Sequence, residues 1–260
     1  MKRHGSVLML AARGSLGKAL LVCAATAAAE LGLFWAALGR AAERAAELAA
    51  LPPEEAAYRQ MENAWSLEQV FTDSRISWVF ALGLLALCAI LCLNGGGLSG
   101  GRTGYTLRRL RVREQTVGVW FAVYGAAVLV IYWAFQTGWA LLLCRLYLYR
   151  ADPAQVNAQT VFLAFYRQAY LHSLLPLAEA SRWVRNLALF AGLGTTCACC
   201  AAQLRHGGKG VAAAVLAVIG ALTFSRETGG FVGDALTMCA AAGLSAWAIW
   251  NLREVRRNED

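Results

Sequence analysis

The sequence predicts an all-α integral membrane protein with six transmembrane helices, both termini cytoplasmic and amphipathic helices in the first two outer loops. Three observations predict it. Apolar residues make up 58% of the 260 and charged residues 15%, against roughly 45–50% and 25% in soluble globular chains. The apolar residues gather into long uncharged runs, and the mean hydropathy is +0.48. The charges are shared unevenly among the loops that join those runs. This composition excludes a disordered, collagenous or secreted disulfide-framework protein. It also excludes a free nucleic-acid-binding protein, despite a formal net charge of +8.

A hydrocarbon core about 30 Å thick takes roughly 20 apolar helical residues, and backbone groups in lipid must pair within the segment. Six stretches of a single transmembrane domain, residues 1–260, meet or approach that length. They are Ala19–Leu38, Ile76–Leu93, Val117–Cys144, Asn186–Ala202 with Trp183 at its outer edge, Gly210–Phe224 and Gly229–Trp250. The third is long enough to tilt or to project beyond the bilayer. The fifth is short and rich in Ala and Val. No ten-residue alternation suggests a barrel.

Loop charge sets the orientation. With the N-terminus inside, the inner side holds fourteen Lys and Arg against four acids, a net of +10. The outer side, with its flanking span residues, holds ten against twelve, a net of −2. This fits the positive-inside rule with both termini in the cytoplasm of a multi-pass cytoplasmic-membrane protein. Residues 1–29 invite a signal-peptide reading, but Lys18 interrupts it and the apolar run continues to Leu38, so no cleavage is expected.

The first outer loop, 39–75, holds a helical run Arg40–Leu51, the helix-ending pair Pro52-Pro53 and a second run Glu54–Val70. The second, 147–181, holds an aromatic amphipathic stretch Val161–Leu175. Phe162, Phe165, Tyr166 and Tyr170 are expected on one face of it, toward the interface or the first loop. The last outer loop, Ser225–Thr228, is a short turn.

All eight cysteines lie in or beside spans, where a small polarisable side chain packs well. The Cys197-Ala198-Cys199-Cys200 cluster has no neighbouring histidine or acid, so small-residue packing is favoured over metal or redox chemistry, and no structural disulfide is expected. Gly97-Leu98-Ser99-Gly100-Gly101 fits a nucleophile pattern, yet none of His4, His172 and His206 lies in a span to activate it. Gly14-Ser15-Leu16-Gly17-Lys18 is too short for a phosphate-binding loop. The chain is therefore expected not to be an enzyme and to hold no cofactor.

Ionisable and polar groups at membrane depth are candidate pathway residues: Glu30, Gln136, Arg182, Arg185 and Asp234. The simpler reading pairs Glu30 and Asp234 with Arg182 or Arg185 near the outer end of span 4, or places them in water there. Gly229 and Gly233 form a small-xxx-small face suited to close helix contact.

The strongest local signal is the inner segment 101–114. After a glycine hinge, Tyr105, Leu107, Leu110 and Val112 supply apolar contacts, and Arg108, Arg109, Arg111 and Arg113 supply charge. It suits either anionic lipid headgroups or docking of a cytoplasmic protein through apolar anchors with an arginine collar.

Six spans, both termini inside, the amphipathic lead-in Ser6–Ala12 and the basic segment after span 2 together resemble ABC-2-type transporter permease subunits. Tyr105-Thr-Leu-Arg-Arg-Leu110, the span-3 residues Tyr124 and Trp133–Gln136, Leu171-His-Ser-Leu-Leu-Pro-Leu177 and Ser181-Arg-Trp-Val-Arg-Asn186 are similar to permease-like proteins of Gram-positive gut bacteria. The large loop after span 1 departs from compact ABC-2 exporters, whose larger outer structure follows span 5. The resemblance implies one half of a transmembrane pathway, paired with itself or a related permease and driven by two copies of a separate ATPase. ATP and Mg would be held by that ATPase. Tyr105, Leu107, Arg108, Arg109, Leu110, Arg111 and Arg113 would form the docking helix. A non-transport membrane protein, such as an immunity, sensory or scaffold subunit, is the alternative.

Overall fold

The computed structural model describes residues 2–50, 52, 66–94, 113–151, 156–227 and 229–257. Among them are nine helices and no strand: α1 Lys2–Ala49, α2 Leu67–Ser74, α3 Ile76–Leu93, α4 Glu114–Arg150, α5 Thr160–Arg167, α6 Ala169–Leu174, α7 Ala180–Arg205, α8 Val211–Ser225 and α9 Gly230–Arg257. Five of these, α1, α3, α4, α7 and α9, are long and apolar enough to cross a membrane. At about 1.5 Å per residue, the 15 residues of α8 reach well short of a hydrocarbon core about 30 Å thick.

The helices differ from the expected elements in three places. The lead-in, the first span and the run from Arg40 form one unbroken helix, α1, 48 residues long. Ala, Leu, Glu and Arg are strong helix formers, and no proline interrupts them before Pro52. The second run of the first loop is described only from Ser66. There Ser66 caps α2 by accepting from the Gln69 amide at 3.2 Å, and Glu54 to Trp65 lie outside the described residues. The aromatic stretch is two short helices. Gln168 leaves the helical conformation (φ −85°, ψ 118°) and its side chain caps α6 by accepting from the Leu171 amide at 2.8 Å. The break separates the four aromatics: Phe165 and Tyr170 are buried, whereas Phe162 and Tyr166 stack on each other at the surface.

The bundle is built around α7, which is the most buried of the long helices and packs against α3, α4, α8 and α9. Small residues set its closest crossing. A Cβ on Gly194 would lie 2.6 Å from both the Ala122 carbonyl oxygen and the Ala126 amide nitrogen of α4, and one on Gly125 would lie 3.3 Å from the Gly194 Cα. Only glycine lets two backbones meet this closely, the usual basis of tight helix pairs in lipid. Gly229 has a different role from the expected packing face. It takes φ +71° in the turn before α9 with open space beside its Cα, a conformation that glycine adopts freely.

Side-chain contacts define two ends. At one, Asn94 at the close of α3 donates to the Ala11 carbonyl (2.9 Å) and to Ser15 Oγ (3.0 Å). Ser15 in turn hydrogen-bonds Tyr124 of α4 at 2.9 Å. Glu114 at the start of α4 meets His206 after α7 at 3.2 Å, and Arg253 near the end of α9 lines a cavity of about 320 Å³ together with Glu114 and Arg205. At the opposite end α1 meets α2 through Phe34 and Phe71 (5.2 Å between ring centroids) and through Arg44 and Asp73 (2.5 Å). Arg150 there lies over the Trp35 ring at 4.3 Å. Helix α8 runs between the ends: Gly210, just before it, abuts Cys200 near the close of α7, and Phe224 stacks on Phe190 and meets Phe80 at a tilt.

Candidate functional site

Two buried polar groups occupy different depths. The first joins the N-terminal turns of α7 and α9 to the α5–α6 layer. Arg185 Nη1 and Asp234 Oδ1 form an ion pair at 2.9 Å with neither side chain exposed. The second carboxylate oxygen accepts from Ser181 Oγ at 2.8 Å. The guanidinium also donates through Nε (3.2 Å) and Nη2 (3.0 Å) to Asn186 Oδ1, and Asn186 Nδ2 donates to the Ser173 carbonyl at 2.8 Å. Arg182 pairs with Glu179, three residues before it. Glu179 also faces His172 Nε2 at 3.6 Å, and His172 Nδ1 lies 3.1 Å from the Phe165 carbonyl oxygen. Trp133 Nε1 of α4 donates to the Leu174 carbonyl at 2.9 Å, and Trp183 Nε1 to that of Pro176 at 2.7 Å. This region is a clamp. Its buried charges have partners of opposite sign, which is the condition for tolerating buried charge at all.

The second group lies deeper, where α1, α3 and α4 meet. Thr26 and Glu30 are four residues apart on α1, as are Tyr132 and Gln136 on α4, so each pair shares one helix face. All four are buried, with Glu30 1% and Gln136 0% exposed. Gln136 Nε2 donates to Thr26 Oγ1 at 3.1 Å and to the Tyr132 hydroxyl at 3.2 Å, and the Glu30 carboxyl group lies beside the Gln136 side chain. Tyr132 passes its own hydrogen to the Phe80 carbonyl of α3 at 3.2 Å, and Thr26 passes its own to the Cys23 carbonyl at 3.0 Å. Gly83 opens the space: a Cβ there would strike the Tyr132 hydroxyl and lie 2.7 Å from Thr26 Cγ2. Tyr170 of α6 closes the cluster, its ring edge-on to Phe80 at 5.7 Å. Burial pushes the Tyr170 phenol well above its ordinary range, and the nearby Glu30 charge adds to the shift.

The expected partnership therefore divides. Asp234 pairs with Arg185. Glu30 makes no ion pair among the described residues and sits instead against Gln136. Among the described residues Glu30 Oε1 and Gln136 Oε1 are both buried without a hydrogen-bond partner, as is the Tyr170 hydroxyl. Thr26, Tyr132 and Tyr170 were missed because each alone reads as an ordinary residue of a membrane helix or interface. The matched four-residue spacings were the available clue.

Of the basic segment, Arg113 is described. It precedes α4, and its carbonyl accepts from the Thr116 and Val117 amides at 2.9 and 3.2 Å. Tyr105, Leu107, Arg108, Arg109, Leu110 and Arg111 lie outside the described residues, as do Gly97 to Gly101. All eight cysteines are free thiols. Cys92 of α3 comes beside Cys197 and Cys200 of α7, and the Cys197 thiol points at the Cys88 carbonyl, 3.8 Å away. Among the described residues no group of three or more His, Cys, Asp or Glu side chains is placed to hold a metal ion. No family model, curated protein or solved structure matches this chain.

Proposed function

We infer that this chain is the permease subunit of an ATP-binding cassette transporter. In this reading it crosses the cytoplasmic membrane six times with both termini in the cytoplasm, the short α8 serving as the fifth crossing where the bilayer thins to meet it, and moves a substrate with energy from a separate ATPase. One observation carries the inference. Asn94 and Arg113, which flank the basic segment, lie at the end of the bundle that also holds Ala11 and Ser15 of α1 and Arg253 near the end of α9. The positive-inside reading assigns fourteen cations and four acids to that side, and the chain between Asn94 and Arg113, with its arginines and apolar residues, starts and finishes there. Such a face suits a protein partner that must push on several helices together. The apolar outer faces of α1 and α9, with Leu20, Leu21, Phe231, Val232 and Leu236 exposed, suit lipid or a second permease.

The alternative is a non-transport subunit, with an immunity, sensory or scaffold role. The layer of α2, α5 and α6 at the other end favours it, because that layer holds its own polar contacts and would serve as an external platform.

The discriminating experiment is copurification with a candidate ATPase. A buried charge-assisted contact is worth about 1.5–3 kcal/mol, whereas an arginine at a lipid surface contributes about 1 kcal/mol. Leu107→Asp with Leu110→Asp should abolish copurification and leave membrane insertion intact, and Arg108→Glu with Arg109→Glu should weaken it in a salt-sensitive way. Equal ATPase binding by the wild type and the double-Asp protein would remove the segment from any coupling role. Orientation is tested in a cysteine-free background: an impermeant maleimide should label Gln60→Cys, and not Arg256→Cys, in intact cells.

A further inference from the structure

The hydrogen-bond inventory around Glu30 does not close. The two hydrogens of the Gln136 amide go to Thr26 Oγ1 and the Tyr132 hydroxyl, with the Glu30 carboxyl group beside the same side chain. The hydroxyl hydrogens of Thr26 and Tyr132 are already given to backbone carbonyls. No hydrogen is left for Glu30, and among the described residues two buried acceptors, Glu30 Oε1 and Gln136 Oε1, have no donor. The charge inventory does not close either. Among the described residues the titratable groups facing Glu30 are Tyr132 on α4 and Tyr170 on α6, and neither is cationic. From α3 the Phe80 carbonyl and Gly83 approach. An isolated carboxylate away from water is among the costliest groups to bury, yet Glu30 is 1% exposed.

We propose that Glu30 and Gln136 form a binding site for one exchangeable monovalent cation, a proton or a sodium ion, held between α1 and α4. Either occupant supplies the missing positive charge. A proton on Glu30 also converts an acceptor into a donor beside the unpartnered Gln136 oxygen. A sodium ion would use the same two oxygens as ligands, in keeping with its preference for oxygen donors. Because the two side chains stand on different helices, loading and release alter the attraction between α1 and α4 at this depth. The site does not depend on the permease reading; it stands on the unpartnered atoms alone.

Dicyclohexylcarbodiimide, which attacks protonated carboxyls in apolar surroundings, tests the site on the purified full-length protein in detergent. Modification is read by peptide mass spectrometry across a range from about pH 5 to about pH 9. Glu30 should react, and the extent should fall by about tenfold per pH unit above its midpoint. Protection by sodium chloride at fixed pH, with none by choline chloride, identifies sodium as the occupant. pH dependence that sodium leaves unchanged identifies the proton. Glu30→Gln should remove the modified peptide. A second measurement needs no variant to hold its fold: the wild-type infrared spectrum should lose a protonated-carboxyl C=O band as pH or sodium rises. Reaction of Glu30 that is independent of both pH and sodium would overturn the site. So would an absence of reaction together with a carboxyl band that neither condition shifts.

Discussion

Asp234 and Glu30 are both acids buried in the same bundle, and they have opposite surroundings. Asp234 meets a guanidinium at 2.9 Å and a serine hydroxyl at 2.8 Å. Its arginine is anchored through Asn186 to the backbone of α6. Glu30 meets an amide that is already committed elsewhere, and one of its oxygens has no partner. The first arrangement is closed and holds helices together. The second is open by one positive charge, and a group held open in this way is suited to exchange. Burial alone does not separate structural from functional acids in this molecule; the accounting of partners does.

The comparison makes graded predictions. The largest effect is expected at the clamp. Asp234→Ala strands the Arg185 guanidinium, which is 0% exposed, and stranding one member of a buried pair costs about 3–5 kcal/mol. The melting temperature of the detergent-solubilised protein should fall by about 10 °C or more. Replacing both partners, Arg185→Met with Asp234→Leu, should cost less than the single change, because no unpaired charge remains. A wild-type melting temperature for Asp234→Ala would end the clamp description.

A smaller loss is expected at Gly83. Its Cβ contacts with Tyr132 and Thr26 make Gly83→Ala an overpacking change of about 1–3 kcal/mol. It should also shift the midpoint of Glu30 modification, because it displaces the groups that hold Gln136. A midpoint that stays fixed while stability falls would separate Tyr132 from the cluster.

The smallest loss is expected for Glu30→Gln. The amide keeps the shape, and there is no counter-charge to strand, so the change should stay within about 1 kcal/mol. A loss as large as that of Asp234→Ala would mean that Glu30 is structural after all, and the contrast between the two acids would fail.

Composition and hydropathy alone determined that the chain is all-helical with several helices suited to a membrane. Five of the apolar runs lie, apart from Gly229, within helices long and apolar enough to cross a membrane, and α1, α4, α7 and α9 extend beyond those runs. The reason is physical: uninterrupted apolar runs have few other stable forms in lipid. Charge pattern likewise singled out Arg185, Asp234, Glu30 and Gln136, because polar groups are rare at that depth.

Only the tertiary structure decided which of these groups meet. Arg185 and Asp234 are 49 positions apart and Glu30 and Gln136 more than a hundred, and no local rule fixes the rotation of one helix against another. That rotation is set by close crossings such as Gly194 on Ala122 and Ala126, and Gly83 beneath Tyr132. The break at Gln168, which sends Phe165 inward and leaves Phe162 outside, was hidden for a related reason. An amide side chain capping the next helix competes with one more turn of the same helix, and packing against the bundle selects between them.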